Sequence, residues 1–382
     1  MDSYETGVPG GIFDYLPPLA NLAFDIHREF VVRISHVMTE SLGEKEAEAA
    51  LRQEWEHIGY AVPLNIVRDM DLRERGFLVA GFCNNWADVL LGERQVTEVT
   101  ALGTRARVNS CPFSKAAYAF CWSHLGISVA KLCEFLAPGH EAVSRCYLSK
   151  GDDHCEILIK SETAKADELW RAPVLASILP PPLNTEERML WSHSYFAGSW
   201  ISQVKALVEV LGSDRALDLL RPAIRQIGTE MAPRVRKELR IIVSDPRSVA
   251  QGLSSLNSAF LMEGGIIEDA VNGIQRATTT CPMSGEPLEV CIMFQSFYDG
   301  LVGALNPRMH LEFAERMGEG GGACHWTLIT KQEAEPKQEA RGAITDPYAA
   351  LSLRYVHGEI SDEEYEKKMA MLKKHHPGPS SR

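Results

Sequence analysis

The sequence predicts an α+β protein made of two tandem repeats, each a helical segment plus an antiparallel sheet with a packed helix, followed by a C-terminal helical hairpin. Three observations predict it. Cys111-Pro112-Phe113-Ser114 returns as Cys281-Pro282-Met283-Ser284, 170 residues on. Each motif follows the same succession of helix-like and strand-like segments. Near the C-terminus, two short helical patterns flank Gly358.

Further matches keep the order. Gly103 and Cys121 fall on Gly273 and Cys291 at the same shift, and at 169 residues Gly151, Cys155 and Pro138 fall on Gly320, Cys324 and Pro307. Upstream, Leu42-Gly43 and Ile58-Gly59 match Leu211-Gly212 and Ile227-Gly228. Matches in one order with single-residue slips indicate duplication. The boundaries this sets are 15–165 for the first repeat, 185–331 for the second, a linker at 332–344 and the hairpin at 345–374.

Within each repeat, Leu42 to Ile58 and Leu211 to Ile227 carry apolar residues at three- and four-residue spacing and are rich in Ala, Leu, Glu and Arg, so both read as helices, with the shared glycines as their stops. Val96 to Thr100 and Arg105 to Ser110 alternate Thr, Val and Ala with polar residues, as a half-buried strand does. Arg276 to Thr280 takes that place in the second copy. A helix from about Ser114 to Leu136 follows. Next comes a hairpin whose return strand is Cys155 to Ile159, or Cys324 to Ile329. Leu179-Pro180-Pro181-Pro182-Leu183-Asn184 cannot continue a helix and reads as a stiff connector between copies.

Composition narrows the function classes. With 382 residues, 45% hydrophobic, the chain is large enough for two or more independent cores. A net charge of −12, with no Lys/Arg block interleaved with aromatics, argues against nucleic acid as a partner. No run of 18 uncharged apolar residues exists, so no membrane is expected, and Met1-Asp2-Ser3-Tyr4-Glu5 lacks a signal peptide's basic flank and apolar core. The expectation is a cytoplasmic protein. Its nine cysteines are then reduced, and metal binding, catalysis or burial must account for them.

Cys111 closes a strand, Cys121 lies ten residues on in the following helix, Cys146 sits near a strand end and Cys155 opens the return strand. Thiolates bind zinc or attack electrophiles where a metal, a cation or a helix N-terminus lowers their pKa. The catalytic candidates are Cys111, Cys121, Cys155, Cys281, Cys291 and Cys324. The metal candidates are Cys121, Cys146 and Cys155, with zinc as the ion; Glu315 or Arg316 replaces Cys146 in the second copy. Cys83 and Cys133 have no counterparts and read as packing. His124 and His325 are candidate bases or ligands at the same mouth. Asp152 and Asp153 belong to a solvated turn with Gly151. Asp299, set among apolar residues on the second helix, is a candidate acid or base.

The segment from Cys-Pro through the helix to Leu305-Asn306-Pro307, then Glu312-Phe313, then Gly-x-x-x-Cys and an apolar strand, resembles the L-2-amino-thiazoline-4-carboxylic acid hydrolase family. Gly151-Asp152-Asp153-His154-Cys155-Glu156-Ile157 resembles that family's Gly-Asp-x-x-Cys signature. The same hairpin is similar to one in vinyl-4-reductase-type ligand-binding domains, where cysteines and a glutamate hold zinc. The resemblance implies a hydrolase that opens a small cyclic amidine or thiazoline C–N bond by a cysteine thiolate or a metal-activated water, with an acid protonating the departing nitrogen. It departs at Gly321-Gly322, where the signature is acidic, and at Asp299, which faces Val129 or Ala130 in the first copy. The other reading is a non-enzymatic sensor or carrier, in which the cysteines hold structural zinc and an apolar cavity takes a small ligand.

At the C-terminus, Asp346 to His357 reads as a helix with Pro347 in its first turn, and Ser361-Asp362-Glu363-Glu364 opens a second with a capping box. Leu-Arg-Tyr-x-x-Gly-Glu-Ile-Ser-x-x-Glu-Tyr, from Leu353 to Tyr365, resembles the SHOCT module. A unit this short buries little by itself, so packing on the main body, a homo-oligomer or a protein partner is expected through it. His375-His376 lies in a tail expected to be disordered, since Pro-Gly-Pro-Ser-Ser follows.

Overall fold

The structure, a computed structural model, describes residues 16–55, 95–109, 111, 113–123, 127, 130–131, 134, 138–178, 185–270, 273–330, 351 and 361–375. Cys83, His124, Cys133, the proline connector, the linker and the hairpin's first helix lie outside them. Contacts divide the chain into residues 1–331 and 332–382.

In the larger unit the helices are α1 (Leu16–Leu42), α2 (residues 44–55), α3 (Tyr118–Ser123), α4 (Ala166–Arg171), α5 (Thr185–Leu211), α6 (Ser213–Glu238), α7 (Pro246–Ala259) and α8 (Leu288–Leu305). The strands are β1 (Gln95–Thr100), β2 (Gly103–Val108), β3 (His140–Ser144), β4 (Cys155–Ser161), β5 (Val174–Ile178), β6 (Glu263–Ala270), β7 (Gly273–Thr280), β8 (Met309–Glu315) and β9 (Cys324–Thr330). The protein is α+β, with one sheet ordered β3-β4-β2-β1-β5 and another ordered β6-β7-β9-β8, every pairing antiparallel. Four strands of each sheet follow one order, and the central pairs β2–β4 and β7–β9 share one register: Val108 opposite Cys155 recurs as Thr278 opposite Cys324. β5 adds a fifth strand beside β1 and extends the first sheet past residue 165.

Independent cores for the two halves are not formed. α1 carries Leu22, Ile26, Phe30 and Ile34 on one face, at the spacing of successive helical turns, and all are fully buried. That face packs on α5, α6 and α7 of the second half, where Trp200, Val204, Leu220, Ile224 and Leu253 close one cluster with Phe294 and Phe297 of α8. The Phe30 ring meets Trp200 and Phe297 edge-on, with centroids 5.3 and 5.4 Å apart. The first sheet keeps only a small cluster of its own, Ala106, Val108, Cys155, Ile157 and Ile159. α1 also holds the first Cys-Pro loop: Ser35 Oγ accepts the Ala117 N–H at 2.9 Å, and the His36 ring bonds the Lys115 carbonyl at 2.8 Å.

Gly43 and Gly212 separate α1 from α2 and α5 from α6, both at positive φ (86° and 77°), as the matched Leu-Gly pairs predict. Gly228 is no helix stop, because α6 runs through it. A Cβ there would overlap the Phe297 carbonyl oxygen, and one at Gly300 the Arg225 carbonyl oxygen, so the pair lets α6 and α8 touch backbone to backbone. The helix expected from Ser114 begins at Tyr118 and is described only to Ser123. α8 is long and apolar enough to cross a bilayer, yet 56% of it is buried inside the fold, as a core helix is.

The helical core encloses two histidines. The Trp200 indole N–H donates to His27 Nδ1 at 3.0 Å, which leaves His27 Nε2 to carry the proton and face His193 Nδ1 at 3.3 Å. Burial holds His27 well below its ordinary range and His193 at about 4. In the smaller unit, one helix, Asp362–His375, is capped at Ser361, whose Oγ accepts the Glu364 N–H at 3.3 Å.

Gly228→Ala should destabilise the protein by about 3 kcal/mol through forced separation of α6 and α8, while Gly198→Ala, on α5 with open space around it, should stabilise by ~0.5 kcal/mol. Denaturant unfolding of both variants measures this. A second expectation concerns acid. Below pH 6.5 an unfolded chain protonates His193 whereas the folded chain does not until about pH 4, so its contribution is full above pH 6.5 and is lost as pH falls. About 3 kcal/mol should disappear across that window, with a shallower slope in His193→Gln.

Candidate functional site

Each half gathers three cysteines, one after a strand, one on a helix and one opening a return strand, at the end of its sheet. In the first, Cys111 follows β2, with its carbonyl accepting Ser114 N–H at 3.0 Å and its Sγ accepting Phe113 N–H at 3.4 Å. Cys121 projects from α3, and its thiol donates to the Phe113 carbonyl at 3.6 Å. Cys155 opens β4 and accepts Leu148 N–H at 3.2 Å. That donor lies on a single 3₁₀ turn, Leu148–Lys150, closed by left-handed Gly151. In the second half the Cys281 carbonyl accepts Ser284 N–H at 3.0 Å, Cys324 accepts Met317 N–H at 3.3 Å, and left-handed Gly320 closes Met317–Glu319. A Cβ on Gly318 would come within 2.7 Å of Cys291 Sγ, so that turn lies directly against the α8 thiol.

The structure therefore brings Cys121 to Cys155, and Cys281 and Cys291 to Cys324, closely enough for thiolate charges to oppose one another. Burial is the larger effect. It pushes Cys121 up to about 12 and Cys281 up to about 11, and it raises Cys155 and Cys291 as well. Without a metal these groups are neutral thiols. Asp299 lies elsewhere: it pairs with Arg225 at 3.7 Å, burial raises its pKa, and the charges that act on it are Arg225, Arg221 and His310. Asp152 is a turn residue, its carboxylate accepting the Tyr147 N–H at 2.7 Å.

The expected metal set of Cys121, Cys146 and Cys155 shares only Cys146 with the group whose ligand atoms lie closest together among the described residues. Among the described residues, Cys146, His154 and Glu156 bring one ligand atom each within 4.8 Å of one another. Strand alternation explains the change. Cys155 shares a face with Ile157 and Ile159 and turns toward Cys121, whereas His154 and Glu156 flank it and project to the opposite face. Only Cys146 of the expected set reaches that face. The His154 ring lies 2.7 Å from Glu156 through Nε2 and bonds Asp153 through Nδ1. Its pKa is raised chiefly by Glu156, against burial. Arg107 lies 3.1 Å from the ring, and Arg145 bridges Glu156 and Asp167 at 3.9 and 3.0 Å.

A thiol, an imidazole and a carboxylate form a borderline donor set that suits zinc, and three protein ligands leave a coordination position open. Asp153 on the second ring nitrogen is the outer-shell carboxylate that metal-binding histidines commonly have. Arg107 and Arg145 oppose a cation there, and they balance Glu156 and Asp153 when no metal is present. At the corresponding second-half positions, Glu315 and His325 pair at 3.7 Å and are more than a third exposed, while Ala323 stands where His154 does. His154 and Glu156 are not among the sequence candidates; the signal is their His-x-Glu spacing around the first residue of the expected Cys155–Ile159 strand, which places both on one face.

Alkylation by iodoacetamide at neutral pH should modify Cys146 before Cys121, because Cys146 is half-buried whereas Cys121 is a buried thiol at about 12. Peptide mapping by mass spectrometry reads the order. Equal rates at both residues would refute the account of burial given above.

No family model, no curated protein and no solved structure matches the chain, so the thiazoline-hydrolase resemblance rests on the sequence motifs alone.

Proposed function

We propose that the chain is a hydrolase for a small cyclic amidine- or thiazoline-type C–N bond, with its reactive centre at Cys146, His154 and Glu156 and zinc as the ion they hold. The observation that carries this reading is the convergence of three unlike donors, one two residues past β3, one just before β4 and one within β4, with a carboxylate behind the histidine. When bound, zinc would supply Lewis acidity and lower the pKa of a water at the open position. The rest falls to the chain. Cys146 and Glu156 provide two negative charges against the cation, and Asp153 fixes the ring and tautomer of His154. Arg107 stands beside the ring, where it would attract an anionic substituent on the substrate. In the net reaction a water oxygen bonds to the ring carbon, the C–N bond breaks, and a proton goes to the departing nitrogen. A free cysteine nucleophile is the weaker route, because burial raises Cys121, Cys155, Cys281 and Cys291.

Tandem duplication belongs to the same proposal, supported by the shared strand order, the shared register and the paired glycine-closed turns. The C-terminal helix, capped at Ser361, supports a SHOCT-like hairpin that docks a second copy or a partner protein.

Purified protein should carry one zinc per chain by elemental analysis and open rings in a panel of thiazolines and cyclic amidines. Cys146→Ser, His154→Ala and Glu156→Gln should each lose the metal and at least 100-fold in kcat/KM, and Asp153→Asn about 10- to 100-fold. Cys121→Ser and Cys291→Ser should change stability and leave turnover. Undiminished activity in the metal-free triad variants would overturn the assignment. Stoichiometric zinc with no turnover on any substrate would favour the sensor or carrier reading instead.

A further inference from the structure

Arg276 lies within β7, opposite Trp326 of β9, on the face of the second sheet that meets α7 and α8. It is 2% exposed. Even so, Nε and Nη1 have no acceptor among the described residues, and Nη2 reaches only the Gly264 carbonyl at 3.4 Å. No described carboxylate pairs with it. The titratable group that acts on it is Tyr298, whose hydroxyl donates to Asn257 and whose pKa burial raises, so that the phenol stays neutral. The Trp326 ring centroid is 6.0 Å from the guanidinium carbon.

A guanidinium keeps its proton in proteins, and a buried one without a counter-charge is unfavourable. The fold itself does not require it. In the same register the first sheet has Ala106 opposite Ile157 and Val108 opposite Cys155, an apolar closure, where the second has Arg276 opposite Trp326 and Thr278 opposite Cys324. β6, which carries Gly264, is an edge strand with bulges at Glu263/Gly264 and Ile266/Glu268, so the guanidinium is one irregular strand from the sheet's edge.

We propose that this interior is a binding site for a small organic carboxylate, held by the Arg276 fork with its apolar body against Trp326. A carboxylate matches the two-pronged donor geometry of arginine and supplies the missing negative charge. The aromatic rings beside the guanidinium, Trp326 and Tyr298, favour a ligand whose remainder is apolar or planar. The site lies in the other half from Cys146, His154 and Glu156 and does not depend on metal there.

Calorimetric titration of the full chain with acetate and benzoate, against benzamide and inorganic phosphate, tests the proposal. Saturable binding of benzoate, with benzamide and phosphate binding at least tenfold more weakly, is expected, unchanged by a chelator. Arg276→Lys, which keeps the charge and loses the fork, should weaken benzoate at least tenfold. Arg276→Met should abolish binding and melt, unliganded, at or above the wild-type temperature. Failure of the wild-type chain to bind either carboxylate, equal affinity in Arg276→Lys, or tighter binding of phosphate would overturn the proposal. If Arg276→Met does not fold, the wild-type and Arg276→Lys titrations still decide it.

Discussion

The close crossing of α6 and α8 is the contact on which the second half depends. Gly228 and Gly300 remove the two Cβ atoms that would hold these helices apart, and the Arg236 guanidinium then bonds the Leu305 carbonyl at 2.8 Å at the far end. α8 is thereby fixed along its length. It carries Cys291 against the Met317–Glu319 turn, Tyr298 toward Arg276 and Asn257, and Phe294 and Phe297 into the core that α1 completes. Both the thiol pocket and the buried guanidinium are assembled by this one placement, because neither the sheet nor the helix carries all of their members. A helix displaced by the width of a methyl group would alter both at once.

A second constraint operates on a smaller scale, at the first residues of β4. Period-two alternation assigns His154 and Glu156 to one face and Cys155 to the other, so a single tripeptide feeds two environments. One is buried and apolar, where a thiol is neutral. The other is charged, with Asp153, Glu156, Arg107 and Arg145 around an imidazole. A divalent cation would meet carboxylates on the charged face, whereas on the apolar face it would have to displace thiol protons alone.

Residue spacing exposed much of this arrangement and concealed some of it. The strands from Val96 to Val108, the return strands opened by Cys155 and Cys324, the helix breaks at Gly43 and Gly212 and the Ser361 cap were legible, because each depends on local pattern or backbone geometry. β5 and β6 were not. Val174-Leu175-Ala176-Ser177-Ile178 is short and its strand state is set by pairing with β1, while Gly264 and Gly265 weaken the strand signal in β6. The shared core was hidden for a different reason: α1 shows that it has an apolar face, and nothing local says that the face belongs against α5 and α6. Gly228 illustrates the same limit, since a stop and a crossing point call for the same residue. Within the site, the matched cysteines stand at positions that the two halves share, whereas Cys146, His154 and Glu156 cluster at positions where the halves differ.

That difference extends to the faces of the two sheets, which do not carry similar side chains beneath their helices. The first face is closed by Ala106, Val108, Ile157 and Ile159, and its polar chemistry sits on the outer face at Cys146, His154 and Glu156. The second reverses this, with Arg276 and Thr278 inside and the Glu315–His325 pair outside. Small apolar residues cost little to keep in a sheet, whereas a buried arginine without a partner lowers stability for as long as it is kept. The second sheet therefore carries a desolvation cost at Arg276 that the apolar face of the first sheet, with Ala106 in the matching position, does not have.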